Sequence, residues 1–315
     1  NDTALNYPQA QAIVDRIGYP VLVRPSFVLG GRAMEIVWSD EQLERYIEFA
    51  EAVNPGSPIL VDKYLEEAIE VDVDCIADGE QAVVAGIMEH IEEAGVHSGD
   101  SSCALPAHSL NDSILREIRS ATRKLAMRLG VKGLMNVQFA IKGERVYVLE
   151  ANPRASRTVP FVSKTIGHPL AKLATKVMVG RKLSELGFEK EPRVNHISVK
   201  KSVFPFNKFP GSDIILGPEM KSTGEVMGID DDFGMAFAKA HMSANQDLPL
   251  AGKVFLSVVG RDKKYMPAIA RDLQELGFEL VATPGTKRRL DAAAIEGVEE
   301  VVKIRSGDYN ILRLM

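Results

Sequence analysis

Cysteine is scarce in this sequence, and so are long apolar runs; each shortage narrows what the chain can be. Of 315 residues, only Cys75 and Cys103 are cysteines. They sit in no CxxC or metal-like spacing, so they read as reduced core thiols rather than a disulfide framework or a zinc site. No stretch approaches the ~20 apolar residues that a membrane helix needs. The opening NDTALNYPQAQ has neither the basic region nor the apolar core of a signal peptide, which leads to the expectation of a cytoplasmic protein with no membrane partner. An excess of positive charge is also missing. A formal net charge of -5 argues against nucleic acid as the main partner, because phosphate backbones recruit clustered Lys and Arg, while leaving room for a local basic pocket. Internal repeats and low-complexity tracts are absent, and neither GxxxxGK[ST] nor GxGxxG occurs.

What is present is the profile of a soluble globular chain, 45% hydrophobic and 26% charged, with a length that suggests two domains. Apolar residues at Ala10, Ile13, Val14 and Ile17, followed by Gly18 and Pro20, predict a helix from Tyr7 to Ile17 with a glycine stop. The strand PVLVRPS follows. The segment IEVDVDCIADGEQAVVAGIMEHI alternates apolar and acidic residues and turns at Asp78-Gly79, a hairpin pattern. Ile114, Leu115, Ile118, Leu125 and Leu129 recur at helical spacing between a capping residue (Asn111, Asp112 or Ser113) and Gly130, giving a helix over Leu110 to Leu129. LMNVQFAIKGERVYVLEANPR reads as a second hairpin turning near Gly143. The first ~245 residues are therefore expected to be an α+β unit, an antiparallel sheet with helices packed on it. SANQDLPLAGK reads as a linker. Beyond it, the strand KVFLSVV, a helix from Met266 to Leu276, the strand FELVAT, a turn at PGT and the strand VEEVVKI predict a small α/β parallel-sheet domain. The expected division is 1–245 and 246–315.

Four stretches carry residue types suited to chemistry. In Arg24 to Ile36, a strand runs into a loop holding Gly30 and Gly31, whose backbone N–H groups suit phosphate oxygens; a hairpin turn is the alternative. In Val61 to Asp74, an exposed backbone edge suits the donor-acceptor face of an adenine, and Glu70 suits the hydroxyls of a ribose, although a solvated acidic strand face fits the same residues. The small-residue loop Glu92 to Cys103 carries His97 beside Gly95, Val96 and Ser98, so it either lines a ligand or packs at the surface. VLEANPRASRT ends a strand with unusual density of function. The hairpin near Gly143 brings Gln138 close to Glu150, and Asn152 follows at the spacing that keeps side chains on one face. These hard oxygen donors suit Mg²⁺ shared with phosphates. Arg154 and Arg157 add fixed positive charge for phosphoryl oxygens. An ordinary turn with surface salt bridges is the alternative.

The stretches Val23 to Val37, Glu70 to Asp74, Gly95 to Ser101, Asn136 to Ala140 and Glu150 to Lys164 together resemble the ATP-grasp domains of the carbamoyl phosphate synthetase large subunit. FPFNKFPGSDIILGPEMKSTGEVMG, Phe204 to Gly228, continues the likeness. IMEHIEEAGVHSGDSSCALP and EANPRASRTVPFVSK look like the second, carbamate-phosphorylating half. VFLSVVGRDK and GFELVATPGT resemble the methylglyoxal-synthase-like regulatory domain that follows it. The resemblance implies an ATP-grasp fold and the conversion of carbamate and ATP to carbamoyl phosphate and ADP, for pyrimidine and arginine pathways. It implies ATP bound by Arg24, Gly30, Gly31, Lys63, Leu65, Glu70, Gly95, Val96, His97, Ser98, Gln138 and Glu150, with Lys63 and Leu65 at the adenine edge. It further implies two Mg²⁺ or Mn²⁺ ions on Gln138, Glu150 and Asn152, K⁺ as a further ion, and catalytic roles for Asn152, Arg154 and Arg157. In the tail, Lys263, Thr283 and Thr286 would hold the phosphate of an allosteric nucleotide effector. Implied partners are the first half of the large subunit and a glutaminase small subunit. Two other readings stay open: another ATP-grasp ligase forming an acyl phosphate, and a catalytically incomplete fragment that binds nucleotide and effector. The family's nucleotide lobe starts earlier than this chain does, its last domain is longer, and residues are expected to be missing near Ile304.

Overall fold

The structure is a computed structural model, and it describes residues 1–26, 33–209, 211 and 214–302. The Gly30-Gly31 loop and the passage around Ile304 lie outside the described residues. The chain divides into two compact units, Asn1–Gln246 and Asp247–Met315.

The first unit opens with β1 (Asp2–Ala4), α1 (Tyr7–Ile17), β2 (Val21–Pro25), β3 (Glu35–Val37), α2 (Asp40–Val53) and β4 (Ile59–Lys63). Asn6 caps α1 by accepting the N–H of Gln9, and Ser39 caps α2 through Gln42. The strands form an antiparallel sheet in the order β1-β4-β2-β3. Ile13, Val14, Val21, Val23, Leu43, Ile47 and Val61 make its core with the two helices.

A larger layer follows: β5 (Ile69–Asp78), β6 (Ala82–Glu93), β7 (Cys103–Leu105), α3 (Asp112–Arg128), β8 (Lys132–Lys142), β9 (Arg145–Asn152), α4 (Val159–Ile166), α5 (Leu170–Met178), β10 (Ile197–Val203), β11 (Gly224–Asp230) and α6 (Phe233–Ser243). Its seven strands run antiparallel in the order β11-β10-β7-β6-β5-β8-β9. Of the three candidate caps for α3, Asn111 holds the position and accepts from Ile114 N–H. Period-two alternation gives each strand two faces. Val71, Val73, Cys75, Val137 and Phe139 pack with α3 on one. Ile76, Leu134, Phe161, Val162, Leu170 and Leu173 pack with α4 and α5 on the other. Both cysteines are buried free thiols, pushed up to about 12 by burial. Helix α6 approaches the sheet closely because residue 228 is glycine: a Cβ there would lie 2.1 Å from the carbonyl oxygen of Ala236.

The second unit contains β12 (Lys253–Leu256), α7 (Met266–Glu275), β13 (Glu279–Ala282), α8 (Pro284–Asp291) and β14 (Val298–Glu300), with a parallel sheet β12-β13-β14. PGT, expected as a turn, is instead the first turn of α8. Proline at the first helical position is pre-organised for a helix, and Thr286 and Leu290 give this short, mostly polar helix a buried side. Among the described residues no helix is long and apolar enough to cross a membrane.

Candidate active site

The site grows out of one face of β5. Asp72, Asp74 and Ile76 alternate with Val71, Val73 and Cys75, and Ile76 belongs to the core under α4 and α5. Toward the start of the strand the same face turns polar. Asp74 pairs with Asn136 of β8, and Asp72 with Gln138. On the other side of β8, Asn152 pairs with Asn136 and Glu150 with Gln138, just before a register irregularity at Gln138/Phe139. Gln138, Glu150 and Asn152 thus meet in one cross-strand cluster, and Asn152 Nδ2 donates to Glu150 Oε1 at 2.7 Å.

A loop between β6 and β7 crosses this cluster. Gly95 adopts φ +105 with its N–H on Glu70 Oε1 at 3.1 Å, and a Cβ there would strike Tyr64 Oη at 2.7 Å. Glycine is therefore required twice over, for the backbone region and for the close approach. Gln138 Nε2 donates to Ser98 Oγ at 2.8 Å, and the buried Lys200 donates to the Ser98 carbonyl at 3.2 Å. The His97 N–H reaches the carbonyl of Gly217, and His97 Nδ1 accepts the N–H of Gly99. Asp100 accepts from Lys221 N and Ser222 N at 2.7 and 2.9 Å, so the segment 217–222 is clasped onto the loop. Arg157 lies against both segments. Its Nη1 touches Met220 Sδ, and a Cβ on Gly99 would be 3.1 Å from that nitrogen.

Electrostatics follow from burial. His90 Nε2 lies 3.1 Å from Asp72 Oδ2 and its Nδ1 lies 3.5 Å from Glu70 Oε2. Burial alone would lower the imidazole, yet the hydrogen bond to Asp72 and the negative charge of Glu70 close by outweigh it and raise His90 to about 9. Asp72 is held low: burial opposes this, but the bond to His90 prevails. Asp74 has only neutral donors, and burial pushes it up to about 6 against the hydrogen bonds of Asn136, Thr158 and Ser156. The His97 ring is lowered by burial, which the pull of Asp100 does not offset.

Glu70, Gly95, His97, Ser98, Gln138 and Arg157 are therefore linked through short contacts, with Val96 in the same loop, and Glu150 and Asn152 stand beside Gln138 by strand pairing. Other expected residues stand outside this network. Arg24 pairs with Asp62 at 3.4 Å on the small sheet. Lys63 Nζ is held by the carbonyls of Gly18 and Tyr19, and Leu65 lies just past the end of β4. Arg154 is exposed and donates to the Ala155 carbonyl. In the second unit Thr283 and Thr286 hydroxyls lie 3.3 Å apart at the start of α8, and a Cβ on Gly285 would be 2.8 Å from Lys263 Nζ. Those three residues converge. Sequence reasoning passed over Asp72, Asp74, His90, Lys200 and Met220. The acidic alternation of β5 was visible, but not that it is 1–2% exposed at Asp72 and Asp74.

The donor set has a definite chemistry. Two amides and one carboxylate offer hard oxygens, and among the described residues no group of three His, Cys, Asp or Glu could hold a metal. A divalent ion that shares its shell with phosphate oxygens and water fits such a set.

The family described as "Carbamoyl-phosphate synthase L chain, ATP binding domain" matches residues 2–186, and the MGS-like domain matches residues 266–315. The carbamoyl phosphate synthase large chains of Synechocystis sp. and Archaeoglobus fulgidus are 56% and 57% identical over 313 residues, each alignment covering 99% of this chain. The chain spans 29% of the length of those relatives. Among solved structures, the biotin carboxylase of Campylobacter jejuni in complex with β-γ-ATP has a TM-score of 0.62 at 19% identity, covering 78% of this chain and 61% of its own. The biotin carboxylase domain of Hydrogenobacter thermophilus 2-oxoglutarate carboxylase, in complex with MgADP, gives 0.57 at 20% identity, covering 73% and 57%. These likenesses identify the fold as ATP-grasp. With more than half of its length matched by the family, the chain belongs to the carbamoyl-phosphate synthase L chain ATP-binding domains, and an MGS-like domain follows over residues 266–315.

Proposed function

We propose that this chain transfers the γ-phosphoryl group of ATP to carbamate, giving carbamoyl phosphate and ADP. The observation that carries the reading is the cross-strand set Gln138, Glu150 and Asn152 facing the loop of His97 and Ser98, with Arg157 beside it. A carbamate oxygen attacks the γ-phosphorus as the bond to the β,γ-bridging oxygen breaks, and ADP leaves with that electron pair. Carbamate is already anionic, so no side chain has to remove a proton. Catalysis is then positioning and charge neutralisation.

Glu70 holds the ribose, with its carboxylate oriented by Gly95 N–H and by His90. Lys63 and Leu65 present backbone to the adenine edge, while Gly95, Val96, His97 and Ser98 line the pocket. Arg24 binds the phosphates, and Gly30 and Gly31, outside the described residues, are further phosphate-binding residues of this reading. Gln138, Glu150 and Asn152 would hold two Mg²⁺ or Mn²⁺ ions, which supply positive charge to the polyphosphate and the transferring group. The MgADP bound by the Hydrogenobacter domain is consistent with magnesium. K⁺ is a further ion of this reading. Arg157 steadies the transferring phosphoryl group, and Arg154 joins it from the same turn.

The domains of the reading are 1–245 for phosphoryl transfer and 246–315 for regulation. In the latter Lys263, Thr283 and Thr286 bind the phosphate of a nucleotide effector at the start of α8, where the positive end of the helix dipole favours an anion. The first half of a large subunit and a glutaminase small subunit are the partners, the product serves pyrimidine and arginine synthesis, and the setting is the cytoplasm.

The test is the reverse reaction. Purified chain with ADP, Mg²⁺ and carbamoyl phosphate should form ATP, and Glu150→Ala should abolish it. Nucleotide binding without turnover would leave only a binding fragment, and equal activity with acetyl phosphate would point to another acyl-phosphate ligase.

A further inference from the structure

Asp74 is a buried carboxylate to which the proposed chemistry gives no task. It lies at the centre of β5, 1% exposed, opposite Asn136 on β8 and Gly86 on β6. Four hydrogen bonds converge on it. Asn136 Nδ2 donates to Oδ1 at 3.0 Å, Ser156 Oγ reaches Oδ1 and Oδ2 at 2.8 and 3.0 Å, and Thr158 Oγ1 reaches Oδ2 at 2.8 Å. The Ser156 and Thr158 hydroxyls are themselves 2.8 Å apart. Thr158 occupies the N-cap position of α4, yet its side chain caps nothing in that helix because the hydroxyl is committed to Asp74.

The two residues held are the immediate neighbours of Arg157. A chain tied to one rigid point on both sides of a residue leaves that residue little freedom to rotate. The point itself is rigid, since β5 is flanked by β6 and β8. Arg157 is thereby sent to the other side of the turn, against Gly99 and Met220.

We propose that Asp74 is a positioning residue that clamps Ser156 and Thr158 and so fixes the approach of Arg157 to the transferring phosphoryl group. The inference rests on the phosphoryl-transfer reading for what Arg157 does, but the clamp is a property of the turn alone. Keeping a carboxylate buried among neutral donors is costly, and burial does raise it; Asp72 is the charged group beside it on the same strand. Such a cost is retained where the geometry it enforces is used.

The experiment is a double-mutant cycle on reverse ATP synthesis, with hydrogen exchange of residues 153–158 as a second readout. Asp74→Asn keeps the shape and loses the charge. It should lower kcat by about 10- to 100-fold with ADP affinity within about threefold, the size of effect a misplaced group produces. In an Arg157→Ala background the same change should cost less than about threefold. Exchange at 153–158 should rise by at least about tenfold in Asp74→Asn while β8 and β9 keep their protection. Ser156→Ala/Thr158→Val leaves Asp74 in place, should reproduce both effects, and stands in if Asp74→Asn does not fold. Equal losses with and without Arg157, or unchanged exchange in the turn, would overturn the clamp. If Arg157→Ala alone costs nothing, the phosphoryl-transfer role fails, while the exchange result still decides the clamp.

Discussion

Oδ2 of Asp72 lies 3.1 Å from Nε2 of His90, and neither residue is more than 6% exposed. The hydrogen bond to Asp72 and the charge of Glu70 overcome burial and raise the imidazole to about 9, which favours the imidazolium at neutral pH. In the unfolded chain a histidine titrates at about 6.5. The raised group therefore contributes stability that is present in full below about pH 6.5 and is lost as pH rises through about 9. Side-chain ¹⁵N NMR should show both ring nitrogens protonated at pH 7.5. His90→Leu leaves two carboxylates without their cation and should cost about 3–5 kcal/mol in urea unfolding. A neutral ring at pH 7.5 would remove the basis for this.

Glu150 is the only carboxylate among the three cross-strand oxygen donors. Glu150→Gln keeps the shape and removes the charge, so it should raise the Mg²⁺ concentration needed for half-maximal ATP formation by at least about tenfold. The variant should melt within about 0.5 kcal/mol of the parent, since the side chain is exposed. A magnesium titration of the reverse reaction checks both the site and the role.

Gly99→Ala inserts a methyl 3.0 Å from Met220 Sδ and 3.1 Å from both Arg157 Nη1 and His97 Nδ1. Arg157 and Met220 are flexible side chains, and His97 Nδ1 belongs to a ring tied to the Gly99 N–H, so the side chains can shift without unfolding the loop while their mutual geometry is lost. The expected outcome is roughly a tenfold fall in kcat with little change in melting temperature. A large drop in stability with unchanged kcat per folded molecule would contradict the placement of Arg157.

Asp100→Ala removes the acceptor that Lys221 N–H and Ser222 N–H share. The loss should amount to about 1–3 kcal/mol. It should show as faster hydrogen exchange in 217–223 and in 95–101 together, because the two segments hold each other.

Local pattern made some of this legible and distance hid the rest. The hairpin near Gly143 brings Gln138 and Glu150 close, and the structure supplies the register that pairs them. Asn111 was one of three capping candidates because all three have short polar side chains; packing of Ile114 and Ile118 selects the frame. The alternation in IEVDVD was plain, but whether Asp72 and Asp74 meet water depends on strands and a turn up to 84 residues away. Contacts of Asp100 with Lys221 and Ser222 span more than 120 residues and leave no periodic trace. Helix α8 was missed because its polar PGTKRRLD hardly alternates and only Thr286 and Leu290 are buried.

In the proposed reaction Gln138, Glu150 and Asn152 hold the metal that meets the phosphates, with Arg157 beside the terminal one. A crystal structure of the chain with Mg²⁺ and a non-hydrolysable ATP analogue tests it most directly. Metal is expected within about 2.0–2.1 Å of oxygens of these side chains and of the β- and γ-phosphates, with the Arg157 guanidinium on the γ-phosphate. Nucleotide bound elsewhere, or a metal held without Glu150, would contradict it.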